Sequence, residues 1–80
     1  MVKKQVVVGS SMGERPIAML VQTASRYASN LHLQMDNKNI NLKSIMGVIS
    51  IGALGGHEVI ITAEGSDETE ACEAIVEFLA

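Results

Sequence analysis

Aromatic side chains are nearly missing from this chain, which has one tyrosine, one phenylalanine and no tryptophan in 80 residues. Without them there is no platform on which nucleic-acid bases could stack. Basic runs are missing as well. With a formal charge of −3, nucleic acid is not expected as a main partner. The single cysteine, Cys72, excludes an internal disulfide and a cysteine zinc site, and fits a reducing cytosol. No stretch approaches the roughly 20 apolar residues of a membrane span. The apolar run in "MVKKQVVVGSS" is also too short for a signal-peptide core. The expectation is a cytoplasmic chain with no membrane partner.

What is present is apolar content: 48% of the residues, enough for one core and too much for a disordered chain. The length fits a single domain over residues 1–80. A domain this short buries only about 60% of its unfolded surface, so modest stability and no deep substrate cavity are expected.

The pattern along the chain alternates strand and helix signals. "KQVVV" (4–8) reads as a strand ending at Gly9-Ser10-Ser11. Pro16 suits a first helical turn, where its missing N–H would have been unpaired in any case. Ile17, Leu20, Val21, Ala24 and Tyr27 then recur at helical spacing to about residue 27. "NLHLQMDNKNINLK" alternates Leu31, Leu33 and Met35, passes a polar Asp36-Asn37-Lys38-Asn39 turn, and resumes at Ile40 and Leu42. That is a hairpin with one buried face. Ser44 is a good N-cap for a short helix over about 44–52, ended by Gly52, Gly55 and Gly56. "HEVIITAEG" is a buried strand. Gly65-Ser66 opens a last helix with an acidic first turn and an inner face of Ala71, Ile75, Phe78 and Leu79. The order β-α-β-β-α-β-α implies a two-layer α+β domain, with the helices on one face of a four-stranded, mainly antiparallel sheet. The other face is solvated, hence His32 and Gln34 between Leu31 and Leu33.

Several residues could carry chemistry. Backbone N–H groups and Arg15 in the helix-entry loop Ser10–Arg15 suit an anion, and equally suit an ordinary capped helix start. Glu14 reads first as a helix-dipole partner, with an acyl-phosphate acceptor or a fixed charge beside Arg15 as the other readings. Ser44, next to Lys43, reads as a simple N-cap or as a phosphorylation site. Ile45, Met46 and Ile49 share one side of the short helix, and Val48 and Ile51 another. In two turns both sets cannot face the core, so either one is exposed as a protein-binding patch or the loose packing of a small domain covers both. His32 and His57 lack ligand spacing and read as surface residues. "GALGG" precedes a strand and so is no dinucleotide fingerprint. Cys72 reads as packing. No catalytic triad, paired-carboxylate site or metal cluster is visible, and no cofactor is implied.

The segment "NLKSIMGVISIG" (41–52) resembles the regulatory-serine region of HPr, the phosphocarrier of the bacterial sugar phosphotransferase system. "RPIAMLVQTASRY" is similar to the first helix of that family, and "EVIITAEGSDETEA" to its last strand and helix start. The resemblance covers nearly the whole chain and implies the HPr-like open-faced sandwich. In HPr the first loop ends in His-Ala-Arg-Pro, and the histidine receives a phosphoryl group from enzyme I. Placed on Arg15-Pro16, the histidine position falls on Gly13 and the alanine on Glu14, and Ile17 stands where the family usually has a small residue.

The cradle is kept and the acceptor lost, a pattern similar to the Crh-like branch of the family. The resemblance implies Ser44 as acceptor for HPr kinase/phosphorylase. It also implies a catabolite-control transcription regulator as partner. Contacts would come from Arg15, Ile45, Met46 and Ile49, with Met12, Ala18, Met19 and Gln22 around them, and enzyme I would dock without transfer. The chain is then a regulatory binding module and not a catalyst. Two alternatives stay open: a carrier using Glu14, Ser10 or Ser11, and a degenerate scaffold that does not switch.

Overall fold

The computed structural model describes residues 1–9, 17–51 and 56–80. The elements run β1 (Val2–Val7), α1 (Ile17–Ser25), β2 (Asn30–Met35), β3 (Lys38–Asn41), α2 (Ile45–Ile51), β4 (Glu58–Glu64) and α3 (Glu68–Leu79). The four strands form one sheet in the order β1-β4-β2-β3, and all three pairings are antiparallel. The helices cover one face, giving an α+β open-faced sandwich. No described helix is long and apolar enough to cross a membrane.

Alternation in β2 and β4 determines which face is covered. Leu31 pairs with Ala63 and Leu33 with Ile61, and all four are fully buried under the helices. Leu20 and Ala24 of α1, Val48 of α2, and Ala71, Cys72, Ile75 and Leu79 of α3 close over them. On the other face a polar row crosses the whole sheet, with Lys3 opposite Thr62, Thr62 opposite His32 and His32 opposite Asn41.

The element boundaries differ from the sequence reading in instructive places. The β2–β3 turn is Asp36-Asn37 alone, because Met35 already pairs with Lys38 and Gln34 with Asn39. Asp36 takes φ 55°, a left-handed conformation that aspartate tolerates better than most side chains. Lys38 and Asn39 are polar because β3 is an exposed edge strand and not because the chain turns there. The last turn before β2 is also shorter than the periodicity suggests. Helix α1 stops at Ser25, and Arg26 and Tyr27 donate to the Thr23 and Ala24 carbonyls, each at 3.3 Å. Helix α2 covers 45–51 and β1 covers 2–7. In α3, Cys72 takes the inward place expected of Phe78, which is only half-buried at the rim.

Two close approaches fix how the elements dock. Asp67, just before α3, does not cap its own helix. Its carboxylate instead accepts from the Ala28 and Ser29 N–H groups, each at 2.9 Å, and from the Ser29 hydroxyl. That ties the loop between α1 and β2 to the start of α3 and satisfies Ser29, which is fully buried. These bonds, that from the Ser29 hydroxyl foremost, hold the Asp67 carboxyl below its ordinary pKa. Gly65 packs directly on this staple. It has φ 155°, and a Cβ there would lie 2.6 Å from the Ser29 Oγ, so only glycine fits.

Candidate functional site

Ser44 is placed by a short chain of local bonds. Leu42, fully buried, anchors the end of the hairpin through its N–H on the Leu31 carbonyl at 2.9 Å. The Asn41 side chain then accepts from the Lys43 N–H at 2.9 Å, and the Asn41 carbonyl from the Ser44 N–H at 3.0 Å. This Asx turn swings the chain from β3 into α2. At the helix start the Ser44 carbonyl accepts from Val48 at 3.0 Å, and the Ser44 Oγ accepts from the Gly47 N–H at 3.2 Å. Ser44 is thus a working N-cap, half-buried, with its hydroxyl on an otherwise orphan helix donor.

Lys43 does not flank that hydroxyl, since its ammonium donates to the Tyr27 carbonyl at 2.7 Å, just past the C-terminal end of α1. A cation there suits the carbonyl-rich end of a helix. The bond also ties α1 to the approach to α2.

Helix α2 buries one side and shows the other. Val48 is 1% exposed, whereas Ile45, Met46 and Ile49 are 47%, 79% and 54% exposed. Of the two sets that periodicity left open, the second is buried at Val48, and the first faces solvent. The side chain of Ile51 lies outside the description. Helix α1, which packs on α2, adds Met19 at 51% exposed, with Ala18 and Gln22 exposed beside it. Large apolar side chains on two packed helices thus line an uncovered face next to the Ser44 cap.

The helix-entry loop falls outside the described residues, and with it Ser10, Ser11, Met12, Gly13, Glu14, Arg15 and Pro16. Its approach is well fixed, however. Val8 donates to the His57 carbonyl at 2.9 Å and accepts from Gly56 at 2.8 Å, while Gly9 donates to the Leu79 carbonyl at 2.7 Å. A Cβ on Gly9 would sit 2.6 Å from the Ala80 carbonyl oxygen. The chain therefore leaves β1 through a gap that only glycine passes.

The remaining candidates stand apart from this face. His32 is half-buried on the polar side of the sheet, in an open hollow with Thr62, Asn30 and Asn41. His57 is exposed, and no group of three or more metal-ligating side chains occurs among the described residues. Cys72 is fully buried, and that burial pushes its thiol pKa up. It packs, as the sequence reading expects, and carries little thiolate. Residues 52–55 of "GALGG" lie outside the description.

Comparison with known proteins agrees with this architecture. The family model described as the "PTS HPr component phosphorylation site" matches residues 2–80. The crystal structure of a phosphocarrier protein HPr from Bacillus anthracis is 37% identical, with a TM-score of 0.91 and coverage of 99% of this chain and 96% of that one. An HPr from Thermoanaerobacter tengcongensis is 40% identical, with a TM-score of 0.89 and coverage of 99% and 91%. The solution structure of Crh, the Bacillus subtilis catabolite repression HPr, is 39% identical, with a TM-score of 0.71 and coverage of 98% and 95%. With the sandwich topology, the serine-capped second helix and a match over nearly its full length, the chain belongs to the HPr family, the phosphocarrier proteins of the phosphotransferase system.

Proposed function

We propose that this HPr-family protein is regulatory, is switched by phosphorylation of Ser44, and acts by binding a catabolite-control transcription regulator. The observation that carries this reading is the exposed apolar face of Met19, Ile45, Met46 and Ile49 beside the half-buried Ser44 cap. Likeness to Crh, whose name links it to catabolite repression, supports it. HPr kinase/phosphorylase would transfer the γ-phosphoryl of ATP to the Ser44 Oγ, releasing ADP, with the hydroxyl proton leaving as the O–P bond forms.

A phosphoryl group adds about −1.5 to −2 charge. At the start of α2 that charge meets the positive end of the helix dipole, and a phosphate oxygen can replace Oγ as acceptor for the Gly47 N–H. The helix keeps its cap, and the new oxygens offer a partner's arginine or lysine charge-assisted contacts next to the apolar face. Arg15 and Met12 would extend the contact from the loop, with Ala18 and Gln22 at its edge.

The same reading assigns no histidine carrier role. Gly13 stands at the acceptor position and has no side chain, and Glu14 beside it repels a phosphate. Enzyme I would dock through the kept Arg15-Pro16 and transfer nothing.

Intact mass in two mixtures tests both halves. ATP with an HPr kinase/phosphorylase should add one phosphoryl group to the wild type and none to Ser44→Ala. Phosphoenolpyruvate with enzyme I should add none to either. Transfer from phosphoenolpyruvate would support a carrier acting through Glu14, Ser10 or Ser11. Silence in both mixtures, with each enzyme active on an ordinary HPr, would leave a folded scaffold.

A further inference from the structure

We propose that Met46 and Met19 are oxidant-sensitive sites of this protein, and that sulfoxidation there weakens the docking face on α1 and α2. The consequence for docking rests on the function proposed above, whereas the site chemistry does not. Met46 is 79% and Met19 51% exposed, while Met35 is 8% exposed within the core. The one thiol, Cys72, is fully buried with its pKa pushed up, so it offers an oxidant little thiolate. The accessible sulfur among the described residues is therefore thioether. Of the three exposed methionines among the described residues, Met19 and Met46 belong to the apolar face, and Met1 sits by the hollow on the polar side of the sheet.

The step balances simply. A hydroperoxide gives one oxygen to the methionine sulfur, its O–O bond breaks as the S–O bond forms, and it leaves as water or an alcohol. The sulfur is oxidised by two electrons. Thiol-driven methionine sulfoxide reductase reverses the change, with the oxygen leaving as water and the thiols becoming a disulfide. The sulfoxide is polar and accepts hydrogen bonds. On free protein it stays in water and costs the fold little. Under a docked apolar partner it would be buried without a donor, which is unfavourable. The same change at Met35 would disrupt the core, but burial shields that sulfur.

Graded hydrogen peroxide, peptide mass mapping and retention on a phenyl column test the site. Ser44 phosphorylation by HPr kinase/phosphorylase with ATP tests the consequence. Oxygen should reach Met46 and Met19 before Met35, phenyl retention should fall, and the phosphorylation rate should drop several-fold. The double variant Met19→Leu/Met46→Leu, whatever its starting values, should lose less of both after peroxide than the wild type, since Met1 and Met12 are common to the two proteins. Simultaneous oxidation of Met35, unchanged retention of the oxidised wild type, or an unchanged rate would each overturn the proposal. A kinase inactive on the unoxidised protein would count against the Ser44 reading alone, and the oxidation map with column retention would then decide this one.

Discussion

Two helices of this protein begin with a polar residue, and the two residues act differently. Ser44 caps its own helix, since its hydroxyl meets the Gly47 N–H three residues on and has no more distant bond among the described residues. Asp67 leaves its own helix uncapped and reaches across to Ala28 and Ser29, about forty residues back in the chain. One is a local device whose chemistry can change without moving the sandwich. The other is a tertiary staple whose loss frees two backbone donors and a buried hydroxyl together. A switch belongs at the first kind of site, where a new group finds a donor waiting and water beside it.

That contrast orders the effects of substitution. Gly65→Ala should be the most damaging, because the new Cβ would collide with Ser29 at 2.6 Å and hold a φ of 155°. Overpacking and backbone strain together put the loss above about 2 kcal/mol, readable as a urea midpoint shift at constant m-value. Next comes acid. The Asp67 carboxyl titrates below its ordinary value of 3.8, so its bonds contribute fully above that pH. Their contribution is lost as pH falls through the lower folded value. Urea midpoints followed downward from pH 5 should drop for the wild type, and Asp67→Asn should flatten that part of the slope. Ser44→Ala should cost about 0.5–2 kcal/mol as a lost cap, with Ser44→Asp regaining most of it. Met46→Ser should be smallest for the fold, within about 0.5 kcal/mol, as for most exposed positions. It should weaken docking to the regulator all the same, seen by calorimetry with the Ser44-phosphorylated protein.

The same contrast explains what the sequence made legible. Strict alternation exposed the buried face of β2, because His32 and Gln34 between its apolar residues lie on the uncovered side of the sheet. Strand β4 reads only as a buried strand, because Ile60 stands where a polar residue would mark the outer face. The Ser44 cap was legible because it is a local rule written within four residues. Asp67 was not, since nothing near it in sequence indicates a partner at Ser29. The hairpin turn read as twice its true length because an exposed edge strand and a turn draw on the same polar residues. In α2, "IMGVISI" holds one polar side chain in seven residues, too few to mark an outer face. Only packing of α2 against α1 and β3 could select Val48 for the core. The apolar face beside Ser44 is therefore a product of the fold as much as of the pattern.

The most direct measurement is an amide nuclear magnetic resonance spectrum taken before and after treatment with HPr kinase/phosphorylase and ATP. The Gly47 N–H, which now meets the Ser44 hydroxyl, should shift strongly and follow the phosphate titration near pH 6. The Ala28 and Ser29 amides held by Asp67 should stay where they are. A Gly47 signal that does not move, or Ala28 and Ser29 signals that move with it, would contradict the account of Ser44 as a local switch.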